Sequence, residues 1–442
     1  MTGAGAVRRR SVLRLLGAGA ASAALEGCTR PRPRPRPAPD RPRFQGEGPL
    51  VFAAPPDLSL DGQRRRSVLR WNSLHPEGKV TYVELNSRAD RQRAELLSSQ
   101  QAGLPPGRGG YDVLGLDVVW TAEFARDGHI LPLTSVAASL DTDRFLPQVL
   151  ESARYRGELW GVPVHSNAGL LYYRSDLIAA PPASWEELKA QAKDAARRHG
   201  VDGYIGQLAR YEGLTVNLAE AVWGQGGELV DREGSRVTAG EPAAVAGLAF
   251  LAGGLADGWI PRAALDWTEE DSRRRFQRRG AAFMRNWPYA YALLQASDSP
   301  VRGHFKVAPL PAAHGTSGGA GPSALGGMNL AISTRSANRR TALEFIEFMV
   351  SDSTQTQVFE AGGYPAVLSG VYDDPGVRAR QPYTQALRES MGAVRSRPVT
   401  PYYGQVTRVI QDAAYSALHD GRAATGAMEQ LAARLQDALE GR

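Results

Sequence analysis

The chain has 442 residues, of which 43% are hydrophobic and 8% aromatic, an ordinary globular balance long enough for two domains with buried cores. Its formal charge of +6 is concentrated at one end: the first 43 residues hold ten arginines against Glu26 and Asp40, a net of +8, leaving about −2 for the rest. The body is therefore not basic, which excludes a nucleic-acid-binding surface spread over it, and the single cysteine excludes an internal disulfide. Only four lysines accompany 48 arginines, a bias of the kind a GC-rich genome leaves and no indication of arginine chemistry.

The chain opens with Arg9-Arg10-Ser11-Val12-Leu13-Arg14, a weakly apolar Ala/Gly/Leu run, and Leu25-Glu26-Gly27-Cys28. That layout reads as a twin-arginine export signal over 1-28 ending at a lipidated Cys28, although Glu26 stands where such leaders carry a small or apolar residue. The apolar run is too short for a membrane-spanning helix, which needs about 20 residues. Residues 29-45, including PRPRPRPAPDRPR, combine missing amide donors with repelling charges and read as a disordered, extended tether.

From Pro49 short apolar runs alternate with helical stretches. Strands are expected at Leu50 to Ala54, Lys79 to Leu85 and Tyr111 to Leu116, with helices at Gly62 to His75 and Asp90 to Gln101 between them; the alternation predicts a mainly parallel α/β sheet. Ser184-Trp185-Glu186-Glu187 is a capping box opening a helix that runs to His199 before Gly200. Leu343, Ile346, Met349 and Val350 share one helical face, as do Met428, Leu431, Leu435 and Leu439, and both sets read as core stripes. Gly315 to Gly327 is glycine-rich but lacks the lysine and hydroxyl of a phosphate loop, and reads as a flexible loop crossing to a strand.

Catalytic templates are missing: the sequence contains no HExxH, no phosphate loop and no histidines at metal-ligand spacing. What remains are polar and aromatic residues closing apolar runs, where open α/β sheets hold ligands. Asp117 follows Val113-Leu114-Gly115-Leu116, Asn167 follows Val162-Pro163-Val164-His165-Ser166, and Trp287 closes Phe283-Met284-Arg285-Asn286. Carboxylates and amides pair with adjacent hydroxyls while an aromatic face packs on the CH face of a sugar ring, so together these residues suit a neutral carbohydrate. Each has a structural reading as well: Asp117 as a helix N-cap, Asn167 as a turn residue, Trp287 as a core aromatic.

Five segments in this order carry a family resemblance: Tyr111 to Phe124 (YDVLGLDVVWTAEF), Asn167 to Leu177 (NAGLLYYRSDL), Asn286-Trp287-Pro288, Gly326 to Ile332 (GGMNLAI) and Arg397 to Tyr403 (RPVTPYY). They resemble extracellular solute-binding proteins, family 1, of sugar ABC importers, nearest the trehalose/maltose-binding lipoproteins of actinobacteria. The resemblance implies a two-lobed periplasmic-binding-protein-like α/β fold (type II) with a sugar in the cleft and closure by rotation. It implies crossings near Asn167, Pro309 and Gly362, with an N-terminal lobe of 46-167 plus 310-361 and a C-terminal lobe of 168-309 plus 362-442.

Carried over by position, Asp117 is expected to accept sugar hydroxyls, with Asp57 and Glu84 on preceding loops. Asn167 stands at the first crossing, where thermophile relatives carry aspartate, and His165 where the pattern leads one to expect tyrosine. Trp287 and Tyr289 form the expected platform, Gly327 a backbone contact, and Arg397 with Tyr402 the late contribution, Arg397 donating in a forked pair. Arg91 and Glu228 are equally readable as surface ion-pair residues. The implied protein is a monomeric, lipid-anchored receptor on the extracellular face of the membrane, binding a disaccharide or oligosaccharide and handing it to ABC permease subunits. No catalysis, cofactor, metal or nucleic acid is expected. The alternatives are an exported glycoside hydrolase using Asp117 with Glu84, and a sugar-sensing module.

Overall fold

The computed structural model describes residues 43–100, 110–231, 234, 236–313 and 319–442. The leader, Cys28 and nearly all of the proline-rich tether lie outside the described residues. The first strands form where the apolar runs lie: β1 (Leu50–Ala54), β2 (Val80–Glu84) and β3 (Val113–Asp117). β1 pairs in parallel with both β2 and β3, so it is central and almost wholly apolar. The helix Gln63–Leu74 starts after Gly62, whose φ of 64° supplies the left-handed turn, and it buries Val68 and Trp71 against the sheet's core.

A two-stranded hairpin, β4 (Arg154–Tyr155) with β5 (Glu158–Leu159), precedes β6 (Val162–Ala168). β7 (Leu170–Arg174) follows after the single residue Gly169 but belongs to a second sheet with β8 (Asp202–Ile205), β9 (Ala281–Asn286) and β10 (Phe305–Pro309), in the order β10-β7-β9-β8. The chain then returns: β11 (Ser323–Ile332) and β12 (Val394–Arg395) complete the first sheet, ordered β12-β11-β3-β1-β2 with β6 also on β11. Two passages therefore join the sheets, at Gly169 and between β10 and β11. Gly362 ends the helix Asp352–Gly362; the chain reaches the helices Tyr403–Leu418 and Ala424–Glu440, which pack on Glu212–Gly224 and Pro242–Ala256, only after β12.

The expectation of a mainly parallel sheet is corrected. β11 runs antiparallel to β3 and β6, and β7 antiparallel to β9 and β10, because strands that arrive from the other sheet enter from the opposite end. The glycine-rich stretch is also partly strand, since Ser323 to Gly327 belong to β11.

Helix Trp185–His199 is capped as its sequence requires. Ser184 Oγ accepts the Glu187 amide at 3.2 Å and Gly200 at φ 65° ends it. Glu187 reaches back one residue further than the box predicts, accepting the Ala183 amide at 2.8 Å. Both apolar stripes face the core, with Ile346, Met349, Met428, Leu431 and Leu435 buried.

Candidate functional site, a cavity lined from both sheets

Pro55 and Pro56 after β1, Asp117 at the end of β3, Asn167 on β6 and Gly326 on β11 meet Glu212 and Trp287 from the second sheet's side around a solvent-open cavity of about 170 Å³. Seven of the ten residues expected from the sequence line it: Asp117, His165, Asn167, Trp287, Tyr289, Gly327 and Arg397. Asp117 is half-buried, and both of its hydrogen bonds, from the Val119 amide at 3.2 Å and from Arg397 Nη2 at 3.3 Å, fall on Oδ1. Asn167 Oδ1 is buried without any hydrogen-bond partner, an acceptor that costs free energy until something donates to it.

Trp287 is held firmly in place. Its carbonyl accepts the Tyr172 hydroxyl at 2.9 Å, its amide donates to Asn286 Oδ1 at 2.8 Å, and the Arg285 guanidinium lies 3.8 Å from the indole centre. Glycine at 326 gives the ring its space, since a Cβ there would come 3.2 Å from both Trp287 Cζ3 and Asn167 Cβ. Gly327 sits at φ +133° with its Cβ direction blocked by the His165 carbonyl at 2.5 Å, beside an irregularity in the β6–β11 register.

His165 stacks on Tyr364 with ring centroids 4.8 Å apart and planes 18° apart, so a ring pair does occur where the family pattern suggested tyrosine. Burial drives the imidazole well below its usual 6.5, and the nearby Arg64 cation adds to that, leaving it neutral. Arg64 was not legible as a cavity residue. It is buried on the inner face of its helix, donating to the Pro55 carbonyl at 2.6 Å and the Tyr82 hydroxyl at 3.1 Å.

Five of the expected residues have their polar or charged groups engaged elsewhere in the protein, or lie outside the cavity. Arg397 lines the cavity, but its two terminal nitrogens are engaged within the protein while Nε is buried without a partner: Nη1 donates to Glu212 Oε1 at 2.5 Å, and Nη2 to Asp117 and the Leu325 carbonyl. Asp57 and Glu84 do not line it. Asp57 accepts the Ser59 and Arg65 amides at the start of the first helix, and Glu84 pairs with Arg65 at 3.0 Å. Tyr402 lies under Arg126, 4.5 Å from the guanidinium carbon, and against Gly441. Tyr289 does line the cavity, yet its hydroxyl donates to Glu270 at 2.9 Å and its side chain is buried. Glu228 pairs with Arg395 at 2.7 Å, away from the cavity.

Glu212 is the residue that sequence reasoning missed most completely. Its carboxylate accepts from Arg397, from the Tyr403 hydroxyl at 2.5 Å and from the Thr407 hydroxyl at 2.7 Å. Burial pushes its carboxyl above the usual range against the opposing pull of Arg397. Its only sequence signal was an acid at the first position of a helix, which ordinarily means a solvated dipole partner.

A cavity walled by two sheets, with a carboxylate, an amide and an indole in its lining, defines a two-lobed small-molecule receptor. The chain belongs to the bacterial extracellular solute-binding protein family, whose sequence model matches residues 60–356. It is 31% identical over 370 residues, 80% of this chain and 86% of the relative, to a probable ABC transporter-binding protein of Deinococcus radiodurans. The solved structure of maltose-bound MalE3 from T. maritima superposes with a TM-score of 0.81 at 30% identity, covering 88% of this chain and 99% of that one. The GacH receptor of Streptomyces glaucescens, solved unliganded and with acarbose, shares the fold at a TM-score of 0.77 and 22% identity, over 90% of this chain and 99% of that one. Family membership puts the protein outside the cytoplasm as a solute receptor of an ABC importer.

Proposed function

We propose that this protein captures an α-linked glucose disaccharide of the trehalose or maltose type, or a related oligosaccharide, and delivers it to the permease subunits of an ABC importer. It acts as a monomer, tethered to the extracellular face of the membrane through a lipid on Cys28, and catalyses no reaction. The observation that carries this reading is the Trp287 indole, backed by Arg285 on one side and lining a cavity that Asp117 and Asn167 also line. A flat apolar face beside fixed acceptors matches a sugar ring, which has a CH face and hydroxyls at its rim. The maltose-bound relative at 30% identity supports the same ligand class.

Thermal melts with a panel of di- and oligosaccharides test the reading. A sugar present at 100 times its dissociation constant stabilises the folded form by about 2.7 kcal/mol. Melts that do not move for any sugar in the panel would refute it. Trp287→Ala should weaken the binding sugar by roughly a hundredfold, from lost stacking and lost apolar burial. Glu84, the second carboxylate of the hydrolase alternative, stands outside the cavity in its pair with Arg65. Recovery of the intact sugar after long incubation separates a receptor from a hydrolase.

A further inference from the structure

Behind the Trp287 platform lies a sealed ion pair. The Arg285 and Glu220 side chains are 1% and 2% exposed, and the guanidinium Nε and Nη2 each donate to a separate carboxylate oxygen at 2.7 Å. Two ions taken out of water gain little net stability over well-packed apolar residues of the same volume, so stability alone does not account for them. Their surroundings do. Trp287 follows directly on β9, which carries Arg285 as its penultimate residue, and the guanidinium lies over the indole at 3.8 Å. Glu220 Oε1 also accepts the Ala324 amide at 3.0 Å, at the start of β11. Gly169, the single residue between β6 and β7, abuts the pair: a Cβ there would come 2.3 Å from Glu220 Oε1 and 2.9 Å from Arg285 Nη2. Gln207 fixes the arginine further, donating to its carbonyl at 2.9 Å and accepting from Nη1 at 3.3 Å.

We propose that Glu220 and Arg285 are positioning residues for ligand binding: the pair sets the tilt and depth of the Trp287 indole and ties the ring to both strand passages between the sheets. A cation over one face leaves the other face to the ligand. The carboxylate that aims the guanidinium is the same group that holds β11 and packs on Gly169, so ring orientation and the geometry of the passages are set together. For its ligand arm the inference rests on the sugar reading above.

The test uses E220Q, which keeps the shape and removes the charge, and R285K, which keeps a cation but cannot form the fork. Each is also combined with Trp287→Ala. Near-UV circular dichroism of the ligand-free proteins, taken as the difference between each protein and its Trp287→Ala counterpart, isolates the Trp287 band. The expected result is a changed Trp287 band in both variants with intact far-UV spectra. Calorimetry should give a loss of maltose or trehalose affinity of roughly five- to thirtyfold, the scale of one cation–π contact, which vanishes in the Trp287→Ala background.

An unaltered band in both variants, or an equal loss with and without Trp287, overturns the proposal. Should E220Q fail to fold, R285K decides alone; should both fail, the pair is purely structural and the proposal falls. If the wild type binds neither sugar, the sugar reading fails while the ligand-free band still decides the role of the pair.

Discussion

At His165 a neutral imidazole is enforced by burial next to a guanidinium, and this has a measurable pH signature. The folded-state value lies well below the ordinary 6.5, so the unfolded chain binds the proton first. The stability contributed by a neutral His165 is present above about pH 6.5 and lost as the pH falls towards the folded-state value. Melting temperatures of wild type and His165→Asn, measured from pH 7.5 to pH 5, should therefore converge as the pH drops. A gap that stays constant would mean that the ring titrates normally. Asp117, Asn167 and Trp287 were legible as cavity-lining positions because each closes an apolar run at or near the end of a strand. Arg397 was legible as a cavity residue but not in its role, because its partner Glu212 lies 185 positions away and no local pattern joins them. Tyr402 shares a motif with Tyr403, yet Tyr403 turns inward to Glu212 while Tyr402 packs under Arg126.

Elements followed their terminal signals closely. The helix Trp185–His199 shows why: a serine oxygen at one end and a left-handed glycine at the other satisfy backbone groups that only those residue types can satisfy. Ser184→Ala should cost about 1 kcal/mol, read as a lower denaturant midpoint at unchanged slope. No change would mean that water caps the helix equally well. Sheet direction was not legible, because a strand's apolar pattern is the same whichever way it runs. The glycines of the stretch before β11 gave the opposite of their local meaning. In isolation they signal a loop, whereas both Gly326 and Gly327 stand in a strand, Gly326 closely packed by the Trp287 ring and Gly327 blocked by the His165 carbonyl.

For the whole molecule, the charge distribution carries its own prediction. With the excess positive charge confined to the first 43 residues, the body is near neutral, and the proposed sugar is uncharged. Affinity should then change by less than about twofold between 50 and 500 mM salt, because no long-range Coulomb attraction is there to be screened. A steep salt dependence in calorimetry would point instead to an ionic ligand bound near Arg64. The two-lobed fold was legible only through the family resemblance, since composition and periodicity gave alternating elements without saying which sheet each strand would join.

The closeness of Gly169 to the buried ion pair also bears on how this protein can change over generations. A methyl group at 169 has no free direction, so Gly169→Ala collides with a carboxylate oxygen that cannot withdraw without releasing both Arg285 and the Ala324 amide. Such a lesion should be hard to repair from elsewhere in the chain. Glu220→Asp, one methylene shorter, makes room for the methyl only by giving up those same contacts, so selection for regained ligand uptake in a Gly169→Ala strain should return glycine at 169 ahead of Glu220→Asp.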